Sequence, residues 1–111
     1  MSGEAPPGDG LVSVRAAVAP DLITLVVSGD LDAATMSALS QCLAQVAARP
    51  PRRLVFDLAQ VAFIDCAATR LIASAAGFLP AGGRPVLRHP SPAVRRILDL
   101  TDLAAACEVE E

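Results

Sequence analysis

The chain contains no lysine, and all nine of its basic residues are arginine. A Walker-type phosphate loop, Schiff-base chemistry and the lysine of receiver-type phosphoacceptor sites are therefore excluded. Histidine occurs once, as His89. A histidine-rich metal site is impossible, and a Ser-His-Asp triad would have to use that single ring with Ser91, which reads better as a helix cap. The three cysteines, Cys42, Cys66 and Cys107, are odd in number, widely spaced and free of any CxxC pair. Neither a disulfide framework nor a zinc site is indicated, and a reducing cytoplasm is the expected compartment. Aromatic residues make up only 3% against 53% hydrophobic. The core must be built from Val, Leu, Ile and Ala, a composition suited to helices packed on a sheet. A formal net charge of -3 gives no electrostatic reason to expect nucleic acid or an anionic membrane surface as partner. Long apolar runs are missing too. "LIASAAGFL" is too short to span a bilayer, and "MSGEAPPGDG" has neither a basic n-region nor an apolar h-region. Without a Gly-rich phosphate loop, no nucleotide or other cofactor is expected.

What is present reads as one domain. A length of 111 residues suits a single core. Residues 1–10, rich in Gly, Pro and acidic side chains, are expected to be a flexible tail, leaving 11–111 as the domain. Val12, Val14, Ala16 and Val18 alternate with Ser13, Arg15 and Ala17, the period of a half-buried strand. "LITLVVSG" alternates again, so the two runs predict an antiparallel hairpin closed by Ala19, Pro20 and Asp21, the second strand ending at Gly29. A first helix follows, with Asp32 as N-cap, Met36, Leu39, Leu43 and Val46 on one face with Cys42 beside them as a packing residue, and Pro50-Pro51 as its stop. "RRLVFDL" is a nearly continuous apolar run ending at Asp57 and Leu58, expected to be a central strand covered on both faces.

After "AQVAFI", a second helix is predicted from about Cys66 to Leu79, with Leu71, Ile72, Ala75, Phe78 and Leu79 inward and a Gly82-Gly83 turn behind it. "RPVLRH" gives a short strand. Ser91-Pro92 is a strong helix start, with Val94, Ile97 and Leu98 as the buried stripe and an end near Thr101. "AAACEVEE" adds at most a short final strand. The order ββαβαβα(β) implies an α/β layer fold: a mixed, mostly parallel sheet with an N-terminal hairpin and about three to four helices packed on it.

Four motifs in order, "GDLD" at 29–32, "DLAQVAFID" at 57–65, "GGR" at 82–84 and "SPAVRRILDLTDL" at 91–103, make the chain from about Leu11 to Val109 resemble the STAS domain of anti-sigma factor antagonists. The resemblance implies a bacterial binding module, not an enzyme, whose partner is an anti-sigma factor of the kinase-like ATPase type. In that family the junction after the aspartate usually reads Asp-Ser-Ser-Gly, and the partner kinase phosphorylates the second serine. Carried over by position, Asp65 matches the aspartate, Cys66 the first serine, Ala67 the phosphoacceptor and Ala68 the glycine. Alanine has no hydroxyl, so the usual switch is missing at Ala67. Thr69 lies two residues later, about 200° around the helix, and is a poor substitute acceptor. A second implied partner is a transporter ATPase of the ABC type, to which single-domain relatives bind without a serine switch. The oligomeric state is left open.

Asp30, Asp32, Asp57 and Asp65 fall near strand ends or helix starts, where a carboxylate cluster can hold a metal or do acid/base work. Caps and loop polarity explain them as well, and the resemblance assigns Asp30 and Asp32 to the loop that contacts the kinase. A thiol at a helix start, such as Cys66, is favoured as thiolate by the helix dipole and disfavoured by the adjacent Asp65. Arg70 follows Cys66 by four positions rather than the six of phosphatase loops, so a small residue in place of serine is the better reading. The expected partner surface is thus Asp30, Asp32, Asp65, Cys66, Ala67, Ala68, Thr69 and Arg70, with no catalytic and no metal-binding residue.

Overall fold

The β1 strand (Val12–Ala19) pairs antiparallel with β2 (Leu22–Leu31), Ala19 opposite Leu22, so the chain reverses in Pro20 and Asp21. In the computed structural model the described residues are 12–32, 36–80, 83–101 and 103–110. The expected N-terminal tail, the Asp32-to-helix connection and Gly82 lie wholly or partly outside them. The first helix, α1, is described from Met36 to Ala48, so the N-cap expected at Asp32 falls where residues 33–35 are not described. Its buried stripe is Leu39, Leu43 and Val46, as the spacing predicts, with Cys42 and Met36 packed at the margin.

Two strand ends differ from expectation. Gly29 does not end β2, which continues to Leu31, and β3 spans Arg53–Ile64 rather than stopping at Leu58. The two strands run on together in parallel register, with Ser28 opposite Gln60, Asp30 opposite Phe63 and Leu31 opposite Ile64. The register slips twice, between Val26 and Ser28 and between Gly29 and Asp30. Gly29 has φ 101°, a conformation open chiefly to glycine, and it stands at a register slip inside the strand where the strand was expected to end. The second helix is also shorter than the pattern implies: α2 covers Cys66–Ser74 and tightens into a 3₁₀ turn at Ala75–Gly77. Ile72, Ala75 and Leu79 are buried as expected, while Leu71 and Phe78 only flank the core. Gly83 donates its N–H to the Pro80 carbonyl at 2.7 Å, and a Cβ there would sit 2.9 Å from the same oxygen, so this turn tolerates only glycine without moving.

The remaining elements are β4 (Val86–Arg88), α3 (Pro92–Leu100), a single-turn helix α4 (Leu103–Ala106) and β5 (Glu108–Glu110). Ser91 caps α3 through its hydroxyl oxygen, which accepts from the Val94 N–H at 3.2 Å, and Pro92 occupies the first turn. The sheet order is β1-β2-β3-β4-β5, antiparallel only at the first pair.

An order that never reverses, joined by right-handed crossovers, puts every crossover helix on the same face. The core agrees. Leu25, Val27, Leu54, Phe56, Leu58 and Leu87 from one sheet face join Leu39, Leu43, Ile72, Val94 and Leu98 in one cluster. Val55 and Val86 are buried yet stand outside that cluster, neighbours in register on the opposite face. The central strand is therefore covered by helices on one face only, and its continuous apolar run reflects lateral packing within the sheet. The alternation in β1 is likewise only partly honoured: Val14 is buried, but Ala16 is exposed and Val18 is 74% exposed, because it lies near the hairpin tip.

Candidate functional site: the β3–α2 junction

The junction begins at Asp65, which follows β3 directly and holds extended backbone angles, φ -106° and ψ 178°. Its carboxylate accepts from the Ala68 N–H at 2.9 Å, the N-cap bond expected of an aspartate before a helix. Its own N–H donates to the Leu31 carbonyl at 3.0 Å, and its carbonyl accepts from the Thr69 N–H at 3.0 Å. One residue thus ties the end of β2 to the start of α2, which brings "GDLD" beside "DCAATR". Asp30 is exposed and Asp32 half-buried on this same end of the sheet.

Along the first turn of α2, Cys66 and Arg70 are exposed, one turn apart, while Ala67 is half-buried and Ala68 fully buried. Thr69 is 4% exposed, and its hydroxyl donates to the Cys66 carbonyl at 2.7 Å. The one hydroxyl within three residues of Ala67 is turned into the core and already bonded. Ser74, farther along, donates its hydroxyl to the Leu71 carbonyl at 2.6 Å.

Sequence reasoning missed Phe63. It is 48% exposed, sits beside Asp30 in register, and forms with Ile64, Pro92, Ala93, Arg96 and Ile97 an apolar hollow of about 360 Å³. The second register slip is what turns this ring outward while Val61 and Ile64 stay buried, and glycine at position 29 was its only visible signal.

The four carboxylates do not assemble. Asp57 lies inside β3 opposite Val26, not at a strand end, and its carboxylate accepts from the Ala59 N–H at 3.1 Å. Among the described residues no group of three or more His, Cys, Asp and Glu is placed to hold a metal ion. His89 follows β4 with φ 56° and donates its backbone N–H to the Glu110 carbonyl, while the Ser91 oxygen is occupied in its cap. Burial pushes the Cys42 thiol up, and pushes Cys107 up to about 11 with the Arg84 charge opposing. Among the described residues no helix is long and apolar enough to cross a membrane.

These features define a two-layer α/β domain with a mixed five-stranded sheet, an antiparallel N-terminal hairpin and a capped strand-to-helix junction at one end. The chain belongs to the STAS domain family, whose model matches residues 13–110. No curated protein matches it by sequence. Its structural neighbours are anti-sigma factor antagonists. One, from Mycobacterium paratuberculosis, is 28% identical with a TM-score of 0.79, covering 92% of this chain and 87% of that one. SpoIIAA in its unphosphorylated form is 20% identical with a TM-score of 0.72, covering 88% of each chain. The Bacillus cell fate determinant SpoIIAA in its phosphorylated form is 17% identical with a TM-score of 0.65, covering 88% of this chain and 91% of that one.

Proposed function

We propose that this protein is a non-catalytic binding module of the cytoplasm that docks a kinase-like anti-sigma factor, and so regulates a sigma factor and transcription, without a phosphorylation switch. The docking surface is the end of the sheet that carries Asp30 and Asp32 together with Asp65, Cys66, Ala67 and Arg70 at the start of α2; Ala68 and Thr69, expected on the same surface, are buried beneath it. One observation carries the reading: Ala67, at the position of the family's phosphoacceptor, presents a half-buried methyl group beside an intact helix cap. Thr69 offers no substitute, because its hydroxyl is buried and bonded.

The magnitudes place such a switch in docking rather than folding. A phosphate adds nearly two charges and, at a helix N-terminus, stabilises its own domain by about 0.3 to 1 kcal/mol. Burying the same dianion against an unprepared surface costs several kcal/mol, and about 1.4 kcal/mol is tenfold in affinity. A module without the acceptor stays in its uncharged, binding-competent form.

The test is capture from the native lysate on wild type and on Ala67→Glu, followed by incubation of the captured kinase with ATP. The expected result is an anti-sigma kinase held by wild type, lost by Ala67→Glu, and transferring no phosphate to wild type. Retention of a transporter ATPase instead, or a partner indifferent to position 67, overturns the reading.

A further inference from the structure

Among the described residues the exposed large hydrophobics are Val18, Phe63 and Leu100, and the last two border the same helix, α3. Phe63 is one of three aromatic rings in the chain, and it is 48% exposed while Phe56 is fully buried. A chain this poor in rings holds one of them half in water. Beside that ring, α3 presents Pro92, Ala93, Arg96 and Ile97 around the hollow of about 360 Å³, and Ala93 contributes only a methyl group to its wall. A singly exposed apolar residue is ordinary. An exposed ring, an apolar hollow and a further exposed leucine along one helix make a patch.

Helix geometry aligns these positions. At about 100° and 1.5 Å per residue, Ala93, Arg96 and Leu100 fall within roughly 60° of one another around α3 and ~10 Å along it. The buried residues of the helix, Val94 and Leu98, lie on another side. Arg95 pairs with Asp99 one turn on, whereas Arg96 has no ion-pair partner among the described residues. Along the helix, Arg96 therefore stands between two apolar positions, the hollow at Ala93 and the 75% exposed Leu100.

The arrangement selects its occupant. Phe63, Ala93 and Arg96 are all exposed at the rim, so the hollow is too shallow to enclose the roughly 70–90% of a ligand's surface that small-molecule sites bury. A side chain delivered by another protein needs no such enclosure. An apolar, charged, apolar series in steps of three and four residues spanning ~10 Å mirrors the face of a helix, whereas same-face residues of a strand fall about 7 Å apart. The arginine between them calls for a carboxylate. Because Asp65 follows Ile64 directly, the hollow is also continuous with the docking surface proposed above. We propose that this strip receives an amphipathic helix of the docking partner: an aliphatic side chain in the hollow, an Asp or Glu one turn on against Arg96, and a second apolar residue seven positions from the first against Leu100. The inference rests on the docking reading for which protein supplies the helix, and it extends the contact surface from α2 onto α3.

The test uses no partner protein. The probe is an alanine-based helical peptide with Leu at i and i+7 and Glu at i+4, titrated to millimolar concentration into the isotope-labelled full chain and followed residue by residue by NMR. Shifts are expected at Phe63, Ile64, Ala93, Ile97 and Leu100. Phe63→Ser, checked for folding by circular dichroism, should weaken binding about tenfold or more, as loss of an aromatic anchor does. If that variant misfolds, Ala93→Leu, which fills the hollow from its exposed rim, should block the probe instead. Arg96→Glu should weaken binding about fivefold, the scale of an exposed ion pair, and should recover it with a probe carrying Arg at i+4. Arg49→Glu, just past the end of α1, is the control and should change nothing. Absence of shifts at these residues, or equal binding of both probes to Arg96→Glu, overturns the proposal. So does octanoate shifting the same residues at lower concentration than the peptide, which assigns the hollow to a free carboxylate. Probe binding as expected supports the strip whether or not an anti-sigma kinase is captured, and probe failure leaves the capture result at Ala67 standing.

Discussion

Replacing Asp65 by alanine should unfasten the junction while leaving the strands that meet there intact. The side chain accepts from the Ala68 N–H at 2.9 Å, and Ala68 is fully buried. Loss of an N-cap costs about 0.5 to 2 kcal/mol, and a donor left partnerless beside the core belongs in the upper half of that range. An expected loss of about 1.5 kcal/mol translates, at roughly 4 to 8 °C per kcal/mol for a domain near this size, into a melting point lower by about 6 to 12 °C. Asp65→Asn keeps an acceptor oxygen and should lose less than half as much. The backbone bond from Asp65 to the Leu31 carbonyl survives both changes, so the urea dependence of stability should keep its slope. With no tryptophan and no tyrosine in the chain, the measurement is far-ultraviolet circular dichroism against urea and temperature. If Asp65→Asn proves as damaging as Asp65→Ala, negative charge rather than the cap holds the junction, and the argument from hydrogen bonding is wrong.

Gly29→Ala should cost about 1 to 2 kcal/mol, since an L side chain is strained at φ 101°, and a stability equal to wild type in a urea titration would show that the bulge relaxes. Phe56→Ala, which empties the largest fully buried side chain, should cost about 3 to 5 kcal/mol in the same assay. The exposed Cys66 should alkylate first in the native protein, Cys42 later and the buried Cys107 only on unfolding, as peptide mapping by mass spectrometry would record. Because the folded Cys107 thiol keeps its proton up to about 11 against an ordinary 9.0, its contribution to stability is full below about 9 and lost as pH rises towards 11. Cys107→Ala should flatten that alkaline slope in pH-dependent melts.

The elements themselves were largely legible because each carried a local signal. The Leu39, Leu43 and Val46 spacing, the Ser91-Pro92 start and the β-branched alternation of β2 each rest on residues close in sequence. What was not legible depended on pairing. Nothing local says that β3 continues through "AQVAFI", since that depends on β2 running alongside as far as Leu31. Nor does composition tell a strand buried between two helix layers from one covered by helices on one side and by its neighbours on the other, as at Val55. For the site, motif order located the junction and its cap. The outward turn of Phe63 came only from the register slips, whereas the turn of Thr69 away from Ala67 was already given by the helix phase and the structure adds that it faces the core.

The unreversed strand order also bears on how the protein is made. A chain that emerges from the ribosome N-terminus first can lay down β1 and β2 as a hairpin, then add each later strand to the edge just completed. No strand has to be inserted between two that are already paired. Each nascent edge waits only for one helical crossover and its strand, which keeps the pairings short in sequence and limits how long an unpaired edge is open to another chain. The last two additions are the smallest, three residues each, and β5 is held to β4 by the backbone ladder and by the 2.8 Å pair of Arg88 with Glu110.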